Sequence, residues 1–258
     1  MSARQAGKVV VVTGGSRNIG LASAKALATR GYKLAILARS AASLAKAAET
    51  IDGDVLPIAV DVTDRDALFA AFERVAGHFG RIDGLINNAG VAHLGSVEHL
   101  DAAKVVEQVN LNFLATVFGC QGIIPHLRRQ GGGRIVNISS AASKFEIFSH
   151  LAIYAATKAA VNRFTDELRQ EMHGENIGVT TFIPGDTTTS FGFGWDPVLV
   201  KAAYDRWLER GSFFNGSMDV DVVGGAVATC FDVPGDVAYD VVLLRPVGRF
   251  PKAMLPEE

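Results

Sequence analysis

The chain is expected to fold as a doubly wound α/β structure, a parallel sheet of seven strands with helices on both faces. Two observations carry this expectation. Short runs of Val, Ile and Leu alternate with longer stretches of helical composition, and the runs are nearly continuously apolar, as strands covered on both faces must be. The first run also opens through a glycine-rich turn directly into a helical stretch.

The strands are expected at residues 9–12, 34–37, 55–60, 85–87, 135–138, 179–183 and 241–244, and helical stretches fill 19–30, 64–79, 101–130 and 154–172. Pro125 is expected to kink or end the helix at 101–130, because proline removes one backbone hydrogen bond and clashes with the preceding turn; Gly131, Gly132 and Gly133 then supply the turn. Residues 184–219, between the sixth strand and the last helix, break the rhythm and are rich in aromatic side chains. Long insertions in compact folds tend to be functional, so this one reads as a substrate lid. With 258 residues, no internal repeat and no Pro/Ser-rich linker, residues 1–258 read as a single domain.

Apolar residues make up 48% of the chain, but charged residues at 20% are interleaved among them, and no apolar run approaches the ~18 residues that cross a bilayer. The first residues, MSARQAGK, carry no apolar leader segment, so a cytoplasmic location and no membrane partner are expected. A net charge of −2 without any Lys/Arg block gives no footprint for nucleic acid and points to small-molecule partners. Cys120 and Cys230 belong to no CxxC pair and the six histidines form no HExxH, so no metal is expected.

The turn after the first strand reads Thr13-Gly14-Gly15-Ser16-Arg17-Asn18-Ile19-Gly20. Glycines let backbone approach a pyrophosphate, which free N–H groups and the dipole at the helix start stabilise; a dinucleotide site and a Rossmann-type sheet are the expectation. At the end of the second strand Ala38 stands where an acidic residue would bind a ribose 2′-hydroxyl, and Arg39 follows it. Arg39 and Arg17 are placed to clamp a 2′-phosphate, so NADP(H) is the expected cofactor. Tyr154 and Lys158 are four residues apart in a helical stretch and share one face, where the positive charge of Lys158 favours a phenolate that can exchange protons with a substrate oxygen.

The turn resembles TGxxxGxG, the fingerprint of the short-chain dehydrogenase/reductase superfamily in its single-domain form, with Asn18 in place of a second glycine. Asparagine is the least costly substitute at positive φ. The resemblance covers nearly the whole chain. It implies that Asp61 and Val62 hold the adenine ring, that Asn88, Ala89 and Gly90 of the segment Asn87-Asn88-Ala89-Gly90 (the NNAG motif) line the cofactor, and that Tyr154 is the catalytic acid/base with Lys158. It further implies that Ser140 hydrogen-bonds the reacting oxygen, and that Asn110, in Val109-Asn110-Leu111, anchors a water-mediated proton relay to the lysine. Ser140 is preferred over the adjacent Ser139 because neighbouring strand residues face opposite ways. Pro184-Gly185-Asp186-Thr187-Thr188-Thr189 is similar to PGxxxT, which binds the nicotinamide carboxamide, Thr187 through backbone and Thr189 through its hydroxyl.

The resemblance implies an NADP(H)-dependent oxidoreductase interconverting a ketone or aldehyde and an alcohol, assembled as a homotetramer or homodimer through the fourth and fifth helices. Competing readings are a catalytically inert NADP(H)-binding sensor and a 3-oxoacyl-type reductase. A sensor has no need of Tyr154, Lys158, Ser140 and Asn110 together, and fatty-acid-building members typically carry Asp-Gly-Gly where this chain has Leu244-Arg245-Pro246. Phe191, Phe193, Trp195, Trp207, Phe213 and Phe214 in the lid, with Phe145 and Phe148 between Ser140 and Tyr154, point to an apolar or aromatic substrate. Phe145, Phe148, Phe193 and Trp195 are the substrate-facing candidates; packing within the lid or against another subunit is the alternative use of these rings.

Overall fold

The computed structural model describes residues 7–145, 149–209 and 216–247. Its strands are β1 Val9–Thr13, β2 Lys33–Ala38, β3 Val55–Ala59, β4 Gly84–Asn87, β5 Gly133–Ile138, β6 Ile177–Pro184 and β7 Val241–Leu244. All neighbouring strands pair in parallel, in the order β3-β2-β1-β4-β5-β6-β7. The helices are α1 Asn18–Ala28, α2 Ala41–Glu49, α3 Arg65–Phe79, α4 Ala102–Val109, α5 Ala115–Arg129, α6 Ala152–Glu171, α7 Pro197–Glu209 and α8 Val220–Thr229. None of the described helices is long and apolar enough to cross a membrane.

The apolar runs of β1, β2, β4, β5 and β6 become strands buried on both faces because the two-residue period of a strand divides them between two cores, while the edge strands β3 and β7 stay partly exposed. Val9 and Val11 join Leu85, Ile135 and Val179 beneath Leu68 and Phe72 of α3 and Ile123 and Leu127 of α5. Val10 and Val12 face the other way, with Ile36, Val136 and Phe182, against Leu27 of α1 and Val223 and Val227 of α8. Pro57 lies in β3, the edge strand, where a missing N–H costs no ladder bond to a further neighbour. Asp64 starts α3 by accepting the Ala67 N–H at 3.0 Å, and Gly80 ends it in the left-handed conformation.

Pro125 does not end its helix. It sits inside α5, which continues to Arg129. Gln121, whose carbonyl would have accepted the absent N–H, lies on the same exposed stripe as Pro125, open to solvent. The interruption of the 101–130 stretch comes earlier, as a π-helical turn over Asn110–Leu114 in which the Ala115 N–H donates to the Asn110 carbonyl. Of the three glycines, Gly131 and Gly132 form the turn with positive φ, while Gly133 already begins β5.

Helices α1 and α8 pack closely because Gly224 has no side chain: a Cβ there would lie 2.5 Å from the Ala22 carbonyl carbon, whereas one on the next residue, Gly225, would meet nothing within 4 Å. Gly224→Ala is therefore expected to lower stability by roughly 1–3 kcal/mol through overpacking against backbone. Gly225→Ala is expected to raise it by up to about 1 kcal/mol through helix propensity. Urea unfolding of the two variants checks the pair; equal effects would place the α1–α8 contact elsewhere.

Candidate active site

The strand order reverses between β1 and β4, so the carboxyl ends of these strands flank an open crevice. The Thr13 hydroxyl closes the seam: it donates to the Ile86 carbonyl at 3.3 Å and accepts the N–H groups of Asn88 at 2.9 Å and Ala89 at 3.1 Å. The Asn88 carboxamide returns the contact by donating to the carbonyls of Thr13 at 3.0 Å and Gly14 at 3.3 Å. Gly14 has a φ of 65°, and a Cβ on Gly20 would lie 2.3 Å from the Gly14 carbonyl oxygen, so backbone alone fits here. The first N–H groups of α1 have no helical acceptor and open onto this crevice, and Arg17 at the cap is exposed. Free N–H groups at a helix start over side-chain-free glycines fit a dinucleotide pyrophosphate.

At the end of β2, Arg39 is exposed and reaches toward Asp61. Burial pushes the Asp61 carboxyl up, but the Thr63 N–H and hydroxyl, at 3.0 and 2.8 Å, and the Arg39 guanidinium outweigh it and hold it below the usual carboxylate range. Arg39, Asp61, Thr63, Asn110 and Leu111 line an open cavity of about 500 Å³. Val62, next to Asp61, is buried in the core below.

Tyr154 and Lys158 lie one turn apart on α6, 8% and 4% exposed. Ser140 lies beside Tyr154 and its hydroxyl accepts the Ala142 N–H at 3.2 Å, whereas the Ser139 hydroxyl turns away to the Lys158 carbonyl at 3.2 Å and to Ser143 at 3.2 Å. Burial raises the Tyr154 phenol above its usual value against the lowering effect of Ser140, and burial takes the Lys158 ammonium down to about 8. The Lys158 ammonium donates to the Ile138 carbonyl at 2.8 Å. Desolvation, rather than the attraction to Lys158 expected from spacing, is the largest influence on the phenol.

Asn110 does not join this group. It faces the Arg39–Asp61 cavity, and Asn112 takes the inward place. The Asn112 side chain is fully buried, accepts the Val91 N–H at 2.8 Å and donates to the Val91 carbonyl at 2.9 Å and the Thr157 hydroxyl at 3.1 Å. A Cβ on Gly90 would sit 3.1 Å from Asn112 Oδ1 and 3.6 Å from Lys158 Nζ, so these groups converge beneath that glycine. Residues two apart on a helix point to nearly opposite sides, so only one of the two asparagines can face α6. In the structure Gln108, Asn112, Thr116 and Cys120, four residues apart, form a buried stripe and Asn110 falls off it; their burial, which spacing alone does not mark, is what separates the two asparagines.

Beyond β6 the chain runs along the mouth of the crevice. The Gly185 N–H donates to the Leu244 carbonyl at 2.7 Å, Thr187 bridges to Met218, and the Thr189 hydroxyl accepts the Phe191 N–H at 3.1 Å. The Phe191 ring packs on Tyr154 with centroids 5.4 Å apart and edge-on against Trp195 at 5.7 Å. The Trp195 indole N–H donates to the Ala92 carbonyl at 2.9 Å, and the Trp207 indole N–H to the Ser149 carbonyl at 2.9 Å. Phe193 instead points outward, 83% exposed, so Phe191 takes the place beside the tyrosine expected for it. Phe145 is half-buried, with its N–H on the Ala141 carbonyl at 3.1 Å; Phe148, Phe213 and Phe214 lie outside the described residues.

This arrangement can grip a dinucleotide along the β1 and β4 ends and present a carbonyl oxygen to the hydroxyls of Ser140 and Tyr154. Residues 8–194 match the short chain dehydrogenase family. The chain is 31% identical over 242 residues, 93% of its length and 96% of the relative's, to an uncharacterized oxidoreductase of Staphylococcus saprophyticus. It is 36% identical over 194 residues, 74% of each chain, to D-threitol dehydrogenase of Mycolicibacterium smegmatis. Among solved structures, the alcohol dehydrogenase of the archaeon Thermococcus sibiricus complexed with 5-hydroxy-NADP superposes with a TM-score of 0.80 at 27% identity, over 95% of this chain and 98% of that one. A metagenomic short-chain oxidoreductase in complex with NADP gives 0.79 at 26% identity, over 95% and 99%. The chain belongs to the short-chain dehydrogenase/reductase family, oxidoreductases that bind NAD(P) and act on CH–OH groups.

Proposed function

We propose that the protein is an NADP(H)-dependent carbonyl reductase for apolar, aromatic ketones or aldehydes, with residues 184–219 as its substrate lid. The observation that carries this reading is the buried Tyr154 and Lys158, with the half-buried Ser140 beside them and the Phe191 ring against Tyr154. Ser140 and Tyr154 hydroxyls hold the substrate oxygen, and Tyr154 gives up its proton as the carbonyl carbon is reduced. A phenol kept protonated by burial is suited to donating a proton to a developing alkoxide. Bound NADPH supplies the hydride. Lys158 then restores the Tyr154 proton, with Asn112 holding the Val91 backbone and the Thr157 hydroxyl in place behind it.

Support for NADP(H) comes from Ala38 and Arg39 at the end of β2, from the exposed Arg17, and from the two structural relatives whose complexes contain NADP or a derivative. Thr187 and Thr189 take the nicotinamide side, next to β6. The lid excludes water from the reacting carbon when closed. A panel of ketones and aldehydes followed by NADPH absorbance tests the reading as a whole.

Tyr154→Phe is expected to bind NADPH normally and to lose about 10²–10⁴ in turnover; turnover within a few-fold of wild type would exclude Tyr154 as the proton donor. Ala38→Asp with Arg39→Ala is expected to move preference toward NADH by tenfold or more, since one charge-assisted bond is worth about 1.5–3 kcal/mol. Equal KM values for NADPH and NADH in the unaltered protein would overturn the cofactor assignment. Phe191→Ala is expected to lower kcat/KM for aryl ketones by roughly ten- to a hundredfold, from ~1.5–3 kcal/mol of lost apolar burial, with Phe193→Ala near wild type. The opposite ranking would mean that Phe193 turns inward over substrate.

A further inference from the structure

At φ 50° the backbone of Asn18 bends as the family's glycine would, but its carboxamide does something a glycine cannot. Asn18 Nδ2 donates to the Ser190 hydroxyl at 2.9 Å, and Asn18 Oδ1 accepts the Ser190 N–H at 3.2 Å and the Ser190 hydroxyl at 3.1 Å. These residues are 172 positions apart, one in the phosphate turn and one at the start of the lid. Ser190 has Thr189 on one side and Phe191 on the other. Three consecutive residues therefore act as one segment: the Thr189 hydroxyl holds the Phe191 N–H, Ser190 meets the phosphate turn and Phe191 packs on the Tyr154 ring.

The far end of the same segment is held by the Trp195 indole on the Ala92 carbonyl. Between the two anchors lie Gly192 and Gly194, with φ values of 87° and 89°. Phe191 is 44% exposed, and its ring contacts are to Tyr154 and Trp195, so its position is set by where its backbone is pinned. Its own N–H is held locally by the Thr189 hydroxyl, and the long-range anchor next to it in the chain is Ser190.

We propose that Asn18 is a positioning residue that ties the phosphate-binding turn to the lid, so that ordering of the turn by a dinucleotide phosphate also fixes Phe191 above Tyr154. The consequence for substrate binding rests on the reductase reading above; the pairing itself does not. It makes the lid's first turn part of the cofactor site, and binding of one ligand then favours the conformation that receives the other.

Asn18→Gly restores the glycine that this backbone conformation suits best, so the variant keeps the turn while removing the carboxamide. Amide hydrogen exchange is measured first, on the protein without cofactor or substrate. The Ser190 N–H is expected to exchange about five- to tenfold faster in Asn18→Gly, as for loss of a typical hydrogen bond in a locally opening segment, while the Trp195 N–H changes little. In turnover the KM for an aryl ketone is expected to rise by a larger factor than kcat falls. Ser190→Ala should reproduce both changes in part, and Asn18→Gly combined with Ser190→Ala should be no worse than Asn18→Gly alone, because the pair acts as a unit. Unchanged exchange at Ser190, or additive effects of the two substitutions, would overturn the proposal. Failure to reduce any ketone would count against the reductase reading, while the exchange data would still decide the pairing.

Discussion

The Thr13 hydroxyl sits where the sheet changes direction, and the site is organised around what it does there. Parallel strands diverge at the reversal between β1 and β4, leaving backbone groups at both strand ends without ladder partners. One hydroxyl meets three of them, the Ile86 carbonyl and the N–H groups of Asn88 and Ala89. With the seam closed, the glycine turn and the Asn88–Gly90 segment become two walls of one crevice. Their spacing is set by contacts too tight for any added side chain: a Cβ on Gly14 or Gly20 would lie 2.8 or 2.6 Å from the Asn88 side-chain nitrogen. Everything that is to meet a cofactor is hung from this joint.

A second set of polar contacts carries that order to α6, the helix of Tyr154 and Lys158. Asn87 donates to the Asn137 side-chain oxygen at 2.9 Å, and Asn137 donates to the Thr165 hydroxyl of α6 at 3.0 Å, all within the core. Satisfied buried networks of this kind specify one arrangement of helix against sheet. They also accompany a cost. The folded state lets go of the Lys158 proton near 8 and the unfolded chain near 10.5, so below pH 8 the folded protein carries a penalty on the order of 3 kcal/mol. The penalty is relieved as pH rises from 8 toward 10.5, because there the unfolded state binds the additional proton. Such a buried cation is held at some expense of stability.

The chain after β6 adds a small third core, in which Ala92, Leu94, Ala142, Leu151, Tyr154 and Ala203 pack with Trp195 and Trp207. Each indole buries its ring and satisfies its N–H on a backbone carbonyl, so these two aromatics dock the segment onto the sheet side of the crevice. Phe191, with no polar atom to place, is left to cover the tyrosine.

The order of strands and helices was legible in the sequence because strands buried on both faces must be almost wholly apolar, and only that pattern separates them from the amphipathic helices between. The phosphate turn, the left-handed Asn18 and the Tyr154–Lys158 pair were legible for a related reason: each depends on neighbours within a few residues, so spacing alone carries the geometry. What spacing could not settle was any choice made by a distant partner. A π-helical turn and the backbone of Val91 brought Asn112 rather than Asn110 inward, and the exposed side of α5 let the helix pass through Pro125. Pairing of Ser190 with a residue 172 positions earlier accompanies Phe191 rather than Phe193 turned toward Tyr154. The sequence by itself determined the periodicities and the local turns, which are properties of short segments. Only the tertiary structure decided which of two nearby side chains entered the site, because that choice rests on packing and hydrogen bonds between segments far apart in the chain.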